Sequence, residues 1–350
     1  MNSLYLEKLE DLNAEITHFW DHEDGSFIFS TGNYFWGFVK GEEFKFNIKI
    51  GFPKNIVLSK RLLRRGTRFD KSNAIFNFKK DGIIVIYRGK VYFFCLLSKK
   101  LRYIFHLKNC RNVLHNGICV TKQGIFFGEY GANINRSPVP IYGSYNDGRN
   151  WEQVYLFQEK SIKHIHGIYF DKFTNSLFVP TGDFEKECFI VVFPDLNFST
   201  QEILGDGSQK FRCVSMFFKK DKIIWGMDSP LETSYLQIFD RKTNKLSQGI
   251  SFPGPVWYTK QFIDGSGILQ TSVEVGKGVK DKYSYLFYSQ DLLNWFCIAK
   301  YKKDIFPLNL FKFGVLGFSD GKQNPSRFPI HGQALESIDG KSLLFSIKKE

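Results

Sequence analysis

Short apolar runs recur along this chain in groups of about four, and the groups repeat roughly every 45 to 50 residues. The clearest lie mid-chain. One reads NVLHNGICV, GIFFGEY, VPIYGSY and WEQVYLF, and the next HIHGIYF, SLFVPTGD, CFIVVF and a weaker run near Phe198. Two more follow: FRCVSMFF, KIIWGMD, SYLQIFD, KLSQGISF, then VWYTKQFI, GILQTSVE, SYLFYS, WFCIAKY. Two groups precede residue 108, and a less regular one, from FKFGVLGFSD through QALESI to SLLFSI, ends the chain. Each run is too short for a stable helix and is cut by Gly, Asp, Asn or Lys, so each reads as a strand. One such unit cannot bury both its faces, whereas units stacked around an axis can, and that is the logic of a propeller. The 38 Phe, 16 Tyr and 6 Trp suit pleated, half-buried surfaces. The expected fold is all-β, a single β-propeller domain over residues 1–350 with four-stranded blades. The repeat count predicts seven blades, with six as the alternative, and closure by joining the terminal segments. Residues 1–12 are expected to form a short helical turn.

Two polar series run in step with the repeat. Near the start of successive first strands stand His115, His166, Arg212 and Tyr258, at steps of 51, 46 and 46 residues. At the ends of the second strands stand Glu129, Asp183, Asp228 and Glu274, at steps of 54, 45 and 46, and Asp320 extends the series. In a blade of antiparallel strands whose first strand lines the channel, these two places lie on the same face. The series is therefore expected to ring the channel mouth. The loop joining strands two and three opens there too, and Gly131 to Pro138 supplies Asn133 and Arg136.

The formal net charge is +13, spread over many apparent hairpin turns rather than gathered in one patch with interleaved aromatics. That distribution disfavours nucleic acid and suits an acidic oligo- or polysaccharide. The six cysteines show no CxxC spacing, so a zinc ribbon is not indicated. Cys95, Cys119, Cys188, Cys213 and Cys297 lie in apolar runs and read as buried thiols. The first residues lack the basic start and apolar core of a signal peptide, and no run of about 18 apolar residues exists to span a membrane. A cytoplasmic location is expected; oligomeric state is not indicated.

The segment Ser144-Tyr-Asn146-Asp-Gly148-Arg-Asn-Trp151 resembles the Asp box, or BNR repeat, with pattern Ser-x-Asp-x-Gly-x-x-Trp; Asn146 stands where the pattern has Asp. Ser289-Gln-Asp291-Leu-Leu-Asn-Trp295 is similar to a shortened version without the Gly. The resemblance is to sialidase-like propellers and implies carbohydrate chemistry, with the box itself a structural turn between strands three and four. A sialidase would need three arginines, a Tyr/Glu nucleophile pair and an acid Asp. The chain offers Arg65 or Arg68, Arg136 and Arg212, with Tyr258 and Glu274, but has no Arg-Ile-Pro stretch; LLRRGTRFD stands where an early arginine would be. The inventory is also similar to that of seven-bladed polysaccharide lyases and related glycosidases, which use His, Tyr and Arg at the channel mouth.

His164 and His166 alternate on a strand and so share a face. Three readings stay open for them: a hydrogen-bonded pair in the channel, a catalytic pair, or a metal site completed by His115 or Asp183. The expectation carries no metal and no cofactor. His115, His166, Tyr258, Asp183 and Glu274 are the catalytic candidates. His164, Glu129, Arg136, Arg212, Asp228 and Trp257 are the substrate-binding candidates. The expected function is a glycoside hydrolase or a polysaccharide lyase acting on an acidic glycan at the channel mouth. In the hydrolase form Glu274 or Asp183 is acid/base and Tyr258 assists a nucleophile. In the lyase form His166 or His115 removes the proton, Arg136 or Arg212 neutralises the carboxylate, and Tyr258 protonates the leaving oxygen. The alternative is a non-catalytic propeller scaffold binding a glycan or a protein.

Overall fold

A computed structural model describes residues 4–51, 54–311 and 313–349. The chain forms seven four-stranded antiparallel sheets, the blades of a seven-bladed β-propeller. Six follow chain order, and one of these consists of Met216–Phe218, Lys222–Gly226, Ser234–Asp240 and Lys245–Phe252. By contact the chain divides into two compact units, Met1–Lys71 with Pro230–Leu236 and Gly249–Glu350, and Ser72–Ser229 with Gln237–Gln248.

The first unit holds the blade Ile16–Trp20, Phe27–Thr31, Tyr34–Val39, Glu42–Asn47 and the blade Val256–Gln261, Gly267–Thr271, Tyr283–Ser289, Phe296–Lys302. Its third blade runs Val315–Phe318, Phe328–Gln333, Ser342–Lys349 and, outermost, Leu4–Asp11. The N-terminal segment is thus a strand and not the expected helical turn. It pairs antiparallel with the C-terminal strand from Leu4 opposite Lys349 to Asp11 opposite Leu343. A ladder of backbone hydrogen bonds to a waiting edge outweighs the weak helical preference of eight isolated residues. The terminal segments are joined as the repeat predicted.

The stretch LLRRGTRFD, which stands where an early substrate arginine would be, lies largely in the helix Arg61–Thr67. Arg65 has a side chain only 2% exposed. It pairs with Asp304, donates from Nε to Phe311 O at 2.8 Å and stacks over Phe306 and Phe311. Arg64 pairs with Glu15, and Arg61 with Asp70 and Asp339. These guanidiniums fasten the helix to its own unit.

The second unit holds the blade Asn73–Phe76, Gly82–Tyr87, Lys90–Cys95, Lys100–His106 and the blade Cys119–Val120, Ile125–Gly128, Val139–Ser144, Glu152–Phe157. It also holds the blade Tyr169–Asp171, Ser176–Pro180, Cys188–Phe193, Glu202–Gly207. In the strand Ser176–Pro180, Leu177 and Val179 join a core with Phe126, Ile141, Ile165 and Phe193, while Phe178 enters another with Ile190, Phe211 and Trp225. Both faces are covered, so the strand reads as an unbroken apolar run rather than an alternation. The fourth strand of this blade is Glu202–Gly207 and not the run near Phe198; Phe198 sits in the preceding loop at φ +61° with its ring buried. Of the cysteines read as buried, Cys297 is exposed, on the outermost strand of its blade, and Cys95 is only half-buried, at the end of a third strand where the chain enters a turn.

Both box-like turns join third and fourth strands. Ser144 Oγ accepts from Gly148 N at 2.9 Å, Asn146 Oδ1 accepts from Asn150 N at 2.8 Å, and Trp151 Nε1 donates to Gly148 O at 3.1 Å. In the shorter turn Ser289 Oγ accepts from Leu292 N at 2.9 Å, Asp291 Oδ1 from Asn294 N at 2.8 Å, and Trp295 Nε1 donates to Leu292 O at 3.0 Å. Gly148 takes φ +87° and Leu292, the residue in the same place, φ +68°. The bonds that define the turn therefore survive loss of the glycine, with the left-handed cost carried by a buried leucine.

Candidate functional site

A buried polar cluster forms in the second unit from three lead-in segments. Lys163 to Gly167 is extended and bridges to the end of the second strand: His166 N donates to Pro180 O at 2.9 Å and Gly182 N to His164 O at 3.1 Å. Ile165 points into the core, so the alternation sends His164 and His166 together to the other side. After Thr181, Gly182 at φ +74° turns the chain; a Cβ there would meet Glu187 O at 2.0 Å. That turn delivers Asp183 to the two rings. The third segment, after Gln209–Phe211, brings Arg212, whose carbonyl accepts from Asp228 N at 2.9 Å.

The two imidazoles have a defined tautomer. His164 Nδ1 lies 2.7 Å from Gly131 O and His166 Nδ1 2.6 Å from Cys213 O. A carbonyl oxygen only accepts, so each Nδ1 carries a proton and donates. With Nδ1 so committed, Nε2 is the lone-pair nitrogen of each ring in its neutral form. The two Nε2 atoms are 3.1 Å apart, and each is 3.3 Å from Asp183 Oδ1. Tyr130 packs on the pair, with ring centroids 4.2 Å from His164 and 6.0 Å from His166.

Charge surrounds Asp183. Lys163 Nζ pairs with Oδ2, and Arg212 Nη2 lies 3.2 Å from Oδ1. Arg212 also reaches Asp228 Oδ2 from Nε at 3.3 Å and donates from Nη1 to Asp183 O at 3.0 Å. Burial alone would raise the Asp183 carboxyl, but hydrogen bonds from His164 and His166, donated when an imidazole carries a proton on Nε2, and the Arg212 charge outweigh it and hold the group far below the usual carboxylate range. Burial lowers His164, and Asp183 only partly offsets it, so the ring stays neutral near pH 7.

The sequence-derived candidates separate into groups. His166, Asp183, Arg212 and Asp228, taken from the two repeat series, and His164, taken from alternation with His166, lie within one network of contacts. Arg136 is one residue away from the cluster chemically: its fork takes Glu187 through Nε at 2.8 Å and Nη2 at 3.1 Å, and Glu187 Oε1 accepts from Asp183 N at 3.3 Å. Glu129 meets the cluster only through its backbone, with O accepting from Ile165 N at 3.0 Å. Its carboxylate turns to Lys108 N at 2.9 Å, Asn109 N at 3.1 Å and Tyr142 OH at 3.2 Å. His115 stands in the turn ahead of Cys119–Val120 and is not one of the groups converging on Asp183. Tyr258, Trp257 and Glu274 belong to the first unit. There Glu274 Oε1 accepts from Trp257 Nε1 and Ser272 Oγ, both at 2.7 Å, and Tyr258 is buried.

Lys163, Glu187, Tyr130 and Gln209, whose Nε2 donates to Asp183 O at 3.1 Å, were not among the site candidates named from the sequence. Lys163 directly precedes the His-x-His pair and Tyr130 directly follows Glu129, so adjacency was the available signal for those two. Elsewhere in this unit an open depression of about 660 Å³ lies beside the box turn, lined by Cys95, Lys100, Arg102, Asn146 and Arg149, none of them in the cluster.

No protein-family model matches the sequence, and no curated protein matches it significantly. Solved structures share the fold. One is the extracellular domain described for the BT4673 one-component system of B. thetaiotaomicron, at 10% identity and TM-score 0.54, covering 97% of this chain. This chain spans 39% of that one's length. Another is a chain of a mitotic checkpoint complex, at 7% identity and TM-score 0.56, covering 99% of this chain and 94% of that one. At these identities the likeness concerns the propeller fold alone. Among the described residues no helix is long and apolar enough to cross a membrane.

Proposed function

We propose that this protein is a carbohydrate-active propeller enzyme that acts on an acidic oligo- or polysaccharide by elimination, with the His164–His166 pair as its proton-transfer centre. The observation that carries this reading is the pair of Nδ1-protonated imidazoles whose Nε2 lone pairs converge beside Lys163 and Arg212. An imidazole held neutral is a base poised for a proton α to a carboxylate, and an adjacent ammonium can take up the charge that develops there. In such a step Nε2 accepts the α proton, the carbon–oxygen bond at the β position breaks, and the leaving oxygen gains a proton from an acid. Asp183 does not suit the hydrolase role of proton donor, because its carboxyl is held ionised; it orients and compensates instead. The net charge of +13 favours approach of a polyanion.

A second reading, a non-catalytic glycan- or protein-binding propeller, is favoured by a different observation. His164, His166, Asp183 and Arg212 are all buried, and Arg136 already holds Glu187. One assay set separates them. Purified protein is screened against uronate- and sialate-containing oligosaccharides, following reducing ends and the absorbance of an unsaturated uronate, with His166→Ala and Arg212→Ala alongside. Turnover by the wild type with at least ~100-fold loss in His166→Ala supports the enzyme. Absence of turnover across the panel, together with tight glycan or protein binding, overturns it.

A further inference from the structure

The convergence of His164, His166 and Asp183 has a second chemical meaning. We propose that these three residues bind a divalent transition metal, zinc by preference, in a four-coordinate site with three protein ligands. It goes beyond the elimination reading and competes with it for the same Nε2 lone pairs, since a lone pair that ligates zinc cannot accept a proton, and it stands on geometry that needs no glycan. Both Nδ1 protons are committed to backbone carbonyls, so three electron-pair donors, two Nε2 atoms and a carboxylate oxygen, face one another. Three donors at this separation repel unless they share a cation.

The distances select the cation. Zinc takes imidazole nitrogen at about 2.0–2.1 Å and carboxylate oxygen at about 2.0–2.2 Å, so the edge of a tetrahedron around it measures about 3.3–3.5 Å. The observed edges are 3.1 Å between the nitrogens and 3.3 Å from each to Asp183 Oδ1. The outer partners also fit. Ligating histidines characteristically donate their second ring N–H to a carbonyl or carboxylate, as both do here, and ligating carboxylates are themselves hydrogen-bonded, as Asp183 is to Lys163 and Arg212. Two nitrogens and one oxygen suit zinc rather than magnesium or calcium, which take oxygen ligands. The positive charges of Lys163 and Arg212 act against a dication, and the depth of the affinity measures that opposition. Three protein ligands leave a fourth position for water or a substrate oxygen.

The test reads metal, not turnover. The full chain is stripped with a chelator and titrated with zinc and with manganese by calorimetry, and bound metal is counted after desalting. Expected are one zinc per chain and a weakening of more than ~100-fold in His164→Ala and in His166→Ala, beyond the ~10–100-fold that loss of an outer partner costs. His106→Ala serves as a histidine control and retains full affinity. Should the cluster variants fail to fold, cobalt replacement in the wild type decides by its visible spectrum: intense tetrahedral bands support the site, and a weak octahedral spectrum overturns it. No stoichiometric zinc binding by the wild type, or equal binding by folded cluster variants, also overturns it. The shared cation is then a proton. Metal binding without turnover on the glycan panel would keep this site and remove the elimination reading; turnover by a wild type that binds no stoichiometric zinc would do the reverse.

Discussion

Replacing Asp183 by Asn removes one negative charge while keeping shape and a carbonyl oxygen, so it isolates the electrostatic role of this residue. Lys163 and Arg212 would be left facing each other across the cluster. At an effective dielectric of about 20, one charge pair near 3.2 Å is worth roughly 5 kcal/mol before desolvation. The native side chains have already given up most of that hydration, being 12% exposed for Asp183, 10% for Arg212 and 20% for Lys163. Breaking a buried pair from one side generally costs about 3–5 kcal/mol. Lys163, the most exposed of the three, can swing toward water, which places the expected loss near ~3 kcal/mol. Guanidinium unfolding in the presence of chelator, with midpoint and slope compared between wild type and Asp183→Asn, measures it. Adding Arg212→Met to Asp183→Asn should then cost less than Arg212→Met does in the wild type, because the guanidinium has already lost one of its two carboxylates. A loss below ~1 kcal/mol, or no coupling between the two substitutions, would refute the view that Asp183 is the counter-charge that makes this cluster possible.

Further outcomes follow from other parts of the molecule. Burial pushes the Asp320 carboxyl up to about 6, with Lys260 only partly offsetting it, against an ordinary value of 3.8. The native state therefore holds this proton across a range where the unfolded chain has lost it, and stability should fall as pH rises from about 4 through 6. Asp320→Asn removes that slope, so its advantage over wild type should grow by about 1–3 kcal/mol between pH 4.5 and 7.5; a flat difference sinks the argument. Gly148→Ala should cost about 1–3 kcal/mol, since φ +87° is unfavourable for alanine and the new Cβ would lie 3.0 Å from Ile84. Leu292→Gly relieves the same strain at the other turn yet should still destabilise, because a fully buried leucine is lost; a gain in the unfolding midpoint would contradict this. With a water-soluble disulfide reagent, exposed Cys297 and half-buried Cys95, whose thiol is lowered by hydrogen bonds with Ser98, should react in the folded protein, while Cys110, pushed up to about 12 by burial and the nearby Glu129, should react only on unfolding.

How much of this was legible beforehand follows from what each signal depends on. The repeat of apolar runs depends on local chain geometry, and it announced seven four-stranded blades as well as the equivalence of successive lead-in segments. The two repeat series named His166, Asp183, Arg212 and Asp228, strand alternation added His164, and these five lie together. The Ser, Gly and Trp of the box turns were equally readable, since their bonds close within a few residues. Direction and partnership were not readable. Glu129 occupies the expected place but turns its carboxylate to the backbone of Lys108 and Asn109. Arg136 is spoken for by Glu187, 51 positions later. The N-terminal residues become a strand only because the C-terminal strand presents an edge to them. Most telling, which ring nitrogen of each histidine donates is decided by two backbone carbonyls, of Gly131 and Cys213, groups that every residue possesses and no sequence pattern marks. Sequence alone determined which side chains share a place in the repeat. Tertiary structure decided which way each faces and which lone pairs it leaves open, because a hydrogen bond to a carbonyl depends on where the backbone lies and not on which residue carries it.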